Sequence, residues 1–353
     1  MELKRVPGLI GQMLKARDKD DKPVIRQAAE IMYLTASGTL APDQYYDYQL
    51  HKSDVKTIRG LPYLGSRAYR ELDLALNPLE WDSLQRNKWL FGLHFKQLGF
   101  PVPEMYGFFD RCSGITSDGL PLRNAGHLDE LLRRRSLDQF VVKPVFGGMG
   151  KGLKVLSVLG GGAYTSLSGN KFDLESLTDF MSNEPYLIQE RVFPHPVLEA
   201  ISPGILNCYR IVTFRDRQGE THIHRCHLRL GRQGSDTDNR AGGGLGVKID
   251  LASGTLGEGL TKKEKVWQTR HPDTGMEFSG VKMPLWHETI ELALAAARAC
   301  PLGSLGWDIA LSVSGPVLIE CNRQWEFKKA QTLGGYLRPE VREQLAEYGI
   351  KQK

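Results

Sequence analysis

"LGWDIALSVSGPVLIECNRQWEF", residues 305–327, is largely apolar, yet Asp308, Glu320 and Asn322 interrupt what read as two strands of a hairpin. Residues two apart in a strand share a face, so Glu320 and Asn322 point the same way. Asp308 joins them only if the connection has an odd number of residues. A two-residue turn at Ser314-Gly315 would send it to the opposite face. We expect a three-residue loop, with Gly315 in a left-handed conformation and Asp308 opposite Asn322. Trp307, Ile309, Leu311, Val313, Val317, Ile319 and Cys321 then face the core. Two carboxylates and an amide oxygen on one sheet face suit a hard cation such as Mg2+, which keeps few protein ligands and shares the rest with phosphates. The alternative is structural: one carboxylate pairs with a buried arginine and the other is solvated.

A second unusual stretch, "KPVFGGMGKG" (143–152), follows the short apolar strand "FVVKP" (140–144). Its glycines free backbone amides to approach phosphate oxygens, and Lys143 and Lys151 bring positive charge. Val145 and Gly152 break the Walker A pattern. A returning strand, "GLKVLSV" (152–158), follows in place of the helix a dinucleotide fingerprint needs. The stretch is therefore expected to be a flap between two strands, with a plain glycine-rich turn as the alternative. Lys143, placed between an apolar strand and a proline, calls for an anion.

Strands are also expected at "YLIQERV" (186–192), "CYRIVTFRD" (208–216) and "THIHRCHLRL" (221–230), the last two joined through Arg217–Glu220. "PLWHETIELALAAARAC" (284–300) carries helical spacing. Antiparallel hairpins separated by helices give an α+β class without a βαβ series. Residues 1–80 read as a helical N-terminal segment without chemistry. Residues 81–190 form the part with the glycine-rich flap, 191–335 the part with the metal site, and 336–353 a C-terminal helix and tail.

The chain has 353 residues, 41% hydrophobic and 25% charged, with net charge +5. That charge is too small at this length to argue for nucleic acid. Five scattered cysteines without a CxxC spacing fit reduced thiols. No run approaches the ~18 apolar residues of a membrane span, and the N-terminus has no signal-like apolar run. A cytoplasmic location without membrane contact is expected, and the oligomeric state is not fixed by the sequence. His222, His224 and Cys226 share a strand face but have no fourth ligand at zinc spacing. Ser166 and Ser168 lack a nucleophile-elbow motif.

"VVKPVFGGMGKG", "YLIQERV" and the terminal D…E-x-N together resemble the ATP-grasp superfamily. "NCYRIVTF", "LRLGRQGSDTDNRAGGGLGVKID", "HPDTG" and "GWDIALSVSGPVLIECN" narrow the resemblance to sugar-transfer-associated ATP-grasp proteins, over about residues 80–330. The resemblance implies two α+β subdomains clamping ATP. Lys143 would contact the α-phosphate or the adenine edge, and the flap with Gly147, Gly148, Gly150 and Lys151 would cover the β- and γ-phosphates. Gln189, Glu190 and Val192 would form the adenine hinge, and Glu199 would take the ribose. Asp308, Glu320 and Asn322 would hold Mg2+. Lys151, Arg210 and Arg229 would stabilise the transferring phosphoryl group. Asp238, Asn239 and Gly242–Gly244 would line the acceptor side, with Arg323 and Trp325 either touching substrate or serving as a salt bridge and a packing residue. The implied activity is a ligase that activates a small-molecule carboxylate as an acyl phosphate for attack by an amine. A kinase acting on a hydroxyl and a non-catalytic ATP-binding module in a glycoconjugate pathway are the alternatives. On this reading Asp308→Asn costs rate and leaves folding nearly untouched.

Overall fold

The structure is a computed structural model that describes residues 19–239, 243–261 and 266–350. The first 18 residues, Gly242 and the last three residues of the tail lie outside the described residues. The chain divides into two units. One comprises the described residues up to Asn77 with 215–220 and those from Gln324; the other comprises Pro78–Phe214 and Thr221–Arg323.

The first unit contains the helices Val24–Ala36, Pro42–Asp47, Ser66–Leu76 and Pro339–Glu347. Its apolar cluster gathers Ile31, Leu34, Leu40 and a set of tyrosines. Trp325 is fully buried, edge-on to Tyr69 and tilted against Tyr336. Packing, not substrate contact, is therefore its role.

The second unit carries two seven-stranded antiparallel sheets. The first is built from β1 (Met105–Phe109), β2 (Ile115–Thr116), β3 (Gln139–Pro144), β4 (Lys154–Gly160), β5 (Ala163–Ser166), β6 (Lys171–Asp173) and β7 (Tyr186–Glu190), in the order β2-β1-β7-β3-β4-β5-β6. The second is built from β8 (Cys208–Arg215), β9 (Thr221–Leu230), β10 (Leu245–Ile249), β11 (Leu256–Thr261), β12 (Trp267–Gln268), β13 (Ser304–Ser312) and β14 (Gly315–Asn322), in the order β12-β11-β10-β9-β8-β13-β14. The glycine stretch joins neighbouring antiparallel strands β3 and β4, which fits both the flap and the plain glycine-rich turn expected for it.

The β13–β14 hairpin departs from the expected register. Ser312 pairs with Gly315, so the turn is the two-residue Val313-Ser314, and Val313 is 62% exposed instead of facing the core. Asp308 pairs with Glu320, and Asn322 pairs with Gly306. The parity that an odd loop was expected to supply comes from a β-bulge: Asp308 opposes Glu320 while Ile309 opposes Leu318, leaving Ile319 as the extra residue. Without that extra residue in the count, the two-residue turn would put Asp308 opposite Ile319. The bulge also changes the core. Leu318 is fully buried with Trp307, Ile309 and Leu311, whereas Val317 and Ile319 are only partly covered. Burying Ile309, Leu311 and Leu318 stabilises the sheet by roughly 1.5–3 kcal/mol each before entropy is counted. Trp307 satisfies its indole N–H by donating to Thr213 Oγ1 at 2.8 Å.

This core fixes one face of β13 and thereby presents the other. Asp308 lies directly across from Arg210 on β8 and from Glu320 on β14. With Arg229 on β9, next to β8, a row of four ionisable side chains crosses four adjacent strands.

Candidate functional site

Asp308 is 2% exposed, and its carboxylate is held by two arginines. Arg210 donates from Nε to Oδ1 at 2.5 Å and from Nη2 to Oδ2 at 3.1 Å. Arg229 donates from Nη2 to Oδ2 at 2.9 Å. Burial by itself would raise the Asp308 pKa. Arg210 and Arg229 more than offset it and hold the carboxyl below the usual aspartate range. The two alternatives left open for the hairpin thus meet in one residue: Asp308 is the carboxylate paired with buried arginine, and it also adjoins Glu320.

Glu320 is more open, with 24% of its side chain exposed. Asn322 Nδ2 donates to Glu320 Oε1 at 3.3 Å, which turns the amide nitrogen toward Glu320 and leaves the amide oxygen for a cation. Lys88 Nζ lies 4.0 Å from Glu320 Oε2. Among the described residues no three or more His, Cys, Asp or Glu side chains gather as a metal group. A cation at Glu320 and Asn322 would therefore complete its shell with substrate oxygens and water. This is the mode of Mg2+, and the hard oxygen donors fit it.

From the first sheet comes Lys143, at the end of β3 and 5% exposed. Burial depresses its pKa from the ordinary 10.5 to about 8; Glu320 pulls it back up and Lys88 pushes it further down. Lys88 was not singled out from the sequence. It opens the helix Lys88–Gln97, whose Asn87 cap accepts from Trp89 and Leu90 N–H. Its own N–H donates to Val145 O at 3.1 Å and its Nζ to Gly147 O at 2.7 Å, so it grips the root of the flap while facing Glu320. A lysine at a helix start reads as a solvated residue, and only the flap and Glu320 show otherwise.

Four cations (Lys88, Lys143, Arg210, Arg229) thus share the site with three carboxylates (Asp238, Asp308, Glu320), a surplus of one positive charge for an anion to balance. Asp238 is buried, not open to an acceptor. Its Oδ2 accepts from Cys208 N–H at 2.9 Å and from Arg229 Nε at 3.2 Å.

The remaining expected residues are placed as follows. Lys151 is exposed on the flap, and Gly147 and Gly148 have open space around them. Gln189 is 6% exposed on β7 between Val141 and Met105. Glu190 is exposed; its Oε2 accepts from Glu104 N–H at 2.9 Å and its N–H donates to Glu104 O at 2.8 Å. Val192 is half-buried just beyond. Glu199, on the helix Pro196–Ile201, accepts Gly204 N–H on both oxygens at 3.0 Å, closing the turn after its own helix. Arg323 is buried, its Nη1 3.4 Å from Asp82 Oδ1, the salt-bridge alternative.

The chain belongs to the sugar-transfer-associated ATP-grasp family, whose profile matches residues 67–342. Its architecture is the ATP-grasp fold. No curated protein matches the sequence. Similar solved structures include a biotin carboxylase from Campylobacter jejuni, 14% identical over 78% of this chain and 49% of that one, with a TM-score of 0.46. An L-amino acid ligase from Bacillus licheniformis is 12% identical over 77% and 51%, with a TM-score of 0.42. An N5-carboxyaminoimidazole ribonucleotide synthetase from Thermotoga maritima is 13% identical over 70% and 44%, with a TM-score of 0.37. The chain spans about half the length of these structures. Among the described residues no helix is long and apolar enough to cross a membrane.

Proposed function

We propose that this chain is an ATP- and Mg2+-dependent ligase that activates a small-molecule carboxylate as an acyl phosphate for attack by an amine. One observation carries the nucleotide site: a buried lysine of the first sheet, Lys143, lies within electrostatic reach of Glu320 and Asp308 of the second, beside a glycine flap gripped by Lys88. Family membership supports the chemistry. When bound, Mg2+ would screen the phosphate charges from one another and from the incoming carboxylate. Glu320 and Asn322, with Asp308 behind them, would hold it.

The chain's own residues then manage charge. A guanidinium carries five N–H donors, and Asp308 and Asp238 take only part of the sets on Arg210 and Arg229. Both arginines are held rigidly by those carboxylates, so they meet developing negative charge with little reorganisation. Lys151 on the flap is free to approach the terminal phosphates as the flap closes, and closure excludes water from a labile acyl phosphate. Lys143 neutralises charge from a fixed buried position. Gln189, Glu190 and Val192 are assigned to the adenine end, and Glu199 to the ribose with the Gly204 contact exchanged on binding.

ADP release over a panel of carboxylates, with hydroxylamine as the amine, tests the reaction class. A hydroxamate formed from one carboxylate supports the ligase. A stable phosphoester of a hydroxyl compound identifies a kinase, and nucleotide binding without ADP release identifies a binding module.

Lys143 gives a prediction with a pH signature. Folding lowers its pKa, so its charged form costs stability below about pH 8, and that cost is relieved as pH rises from about 8 toward 10.5. Anion binding uses the charge and runs the other way: ATP affinity is expected to fall as pH rises through about 8. Lys143→Met should abolish this step, weaken ATP at least about tenfold, and leave the melting temperature unchanged or higher, because a desolvated charge is removed. Calorimetric titration across pH 7–10 checks it.

A further inference from the structure

The loop between β9 and β10 makes contacts that the nucleotide site does not require. Asp236 is buried, with 5% of its side chain exposed, and it faces the first sheet although it belongs to the second. Its Oδ2 accepts from Lys154 Nζ at 3.2 Å and from the Ser168 hydroxyl, and its Oδ1 accepts from Val155 N–H at 3.3 Å. Lys154 and Val155 begin β4, the strand into which the flap returns. Two residues on, Asp238 binds Arg229 and the first N–H of β8. One short stretch therefore holds the flap hairpin with one carboxylate and the arginine row with the next.

The tip of the flap meets the same loop. Gly150 has φ +66°, and a Cβ there would lie 2.3 Å from Asn239 Nδ2 and 2.8 Å from Thr237 Cγ2. The positive φ favours glycine here, and, apart from any phosphate, any side chain would have to push the Asn239 and Thr237 side chains aside.

The loop is itself anchored by the HPDTG stretch. Asp273 takes Arg232 Nε at 3.0 and 2.8 Å and Nη2 at 2.6 Å, and also accepts Gln233 N–H at 2.8 Å. His271 Nε2 is 2.8 Å from Gly231 O. A loop fixed at its root and bonded at Asp236 can transmit position; a floppy one cannot.

We propose that Asp236 is a positioning residue: it latches the flap hairpin through Lys154, Ser168 and Val155, and so sets the flap's resting place over the site. The latch stands on geometry alone; what the flap covers rests on the nucleotide reading given above.

Hydrogen–deuterium exchange on the full chain tests it. Without nucleotide, Asp236→Ala, which removes three hydrogen bonds to one carboxylate, should speed exchange of amides 146–156 at least about tenfold, with β8 and β13 unchanged. Lys154→Ala, which removes only one of the three contacts to Asp236, should speed flap exchange less, and the double variant should add little to Asp236→Ala, because the Lys154–Asp236 bond is already lost there. Asp236→Asn, which keeps an acceptor for Val155, should be intermediate. In steady-state assays Asp236→Ala should raise KM for ATP while kcat changes less. Unchanged flap exchange overturns the latch, and so does faster exchange throughout both sheets, which would mark a purely structural residue. If flap exchange rises in the variant but Mg-ATP protects the flap in neither protein, the latch holds and the nucleotide reading fails.

Discussion

Glu320→Gln is expected to lower ADP release by about a hundred- to a thousandfold while the fold melts within about 1 kcal/mol of the parent. Glu320 is the more accessible of the two site carboxylates, with 24% of its side chain exposed. Its neighbours are the Asn322 amide at 3.3 Å, Lys88 at 4.0 Å and the Asp308 carboxylate opposite. None of these is a short ion pair, and the buried Lys143, which loses part of its electrostatic support with Glu320, can give up its proton instead of staying charged. Neutralising Glu320 even relieves repulsion against Asp308. A cation, by contrast, loses one of two carboxylates at the point where phosphate charge must be screened. ADP release measured beside thermal unfolding separates the two effects. Full turnover in the variant would remove Glu320 from the site.

Asp308→Asn should behave differently from the expectation drawn from sequence. Its carboxylate is the counterion of two buried guanidiniums, and removing one partner of a buried pair costs on the order of 3–5 kcal/mol. For a unit of this size the melting temperature should fall by roughly ten degrees. The pH dependence agrees in sign. The Asp308 pKa is lowered on folding because the two arginines outweigh burial, so its stabilisation is in place above the ordinary carboxylate value of 3.8 and disappears as pH falls through the lower folded value. The parent should therefore lose stability steeply in acid, and the variant should show a flatter acid limb. A variant that melts with the parent at neutral pH would contradict the ion network. Rate loss at Asp308 alone consequently says little about metal; the stable Glu320 variant says more.

Much of the site could be read in the sequence because its pieces break local rules. Charged residues within an apolar hairpin, and a lysine between two valines and a proline, are costly unless a ligand or partner meets them. The register of the hairpin was another matter. "PVLI" (316–319) is apolar throughout, so alternation cannot say which residue is the extra one, and the face shared by Asp308 and Glu320 was reached through the wrong turn. The Arg210–Asp308 pair depends on β8 and β13 being neighbours although its two members lie 98 positions apart in the sequence, beyond the reach of any local pattern. Lys88 and Asp236 were invisible for a simpler reason. Each occupies a helix start or a turn-like "SDTDN" run where a charged residue is ordinary, and only tertiary contacts give it a partner.

Equilibrium titration of the parent and of Glu320→Gln with ATP, in Mg2+ and in EDTA, bears most directly on the central claim that Lys143 and the Asp308–Glu320–Asn322 face hold a magnesium nucleotide. The predicted result is binding by the parent in Mg2+ that weakens at least about tenfold in EDTA, with the variant showing little Mg2+ dependence. Absence of binding, or equal affinity in both buffers for both proteins, would contradict it.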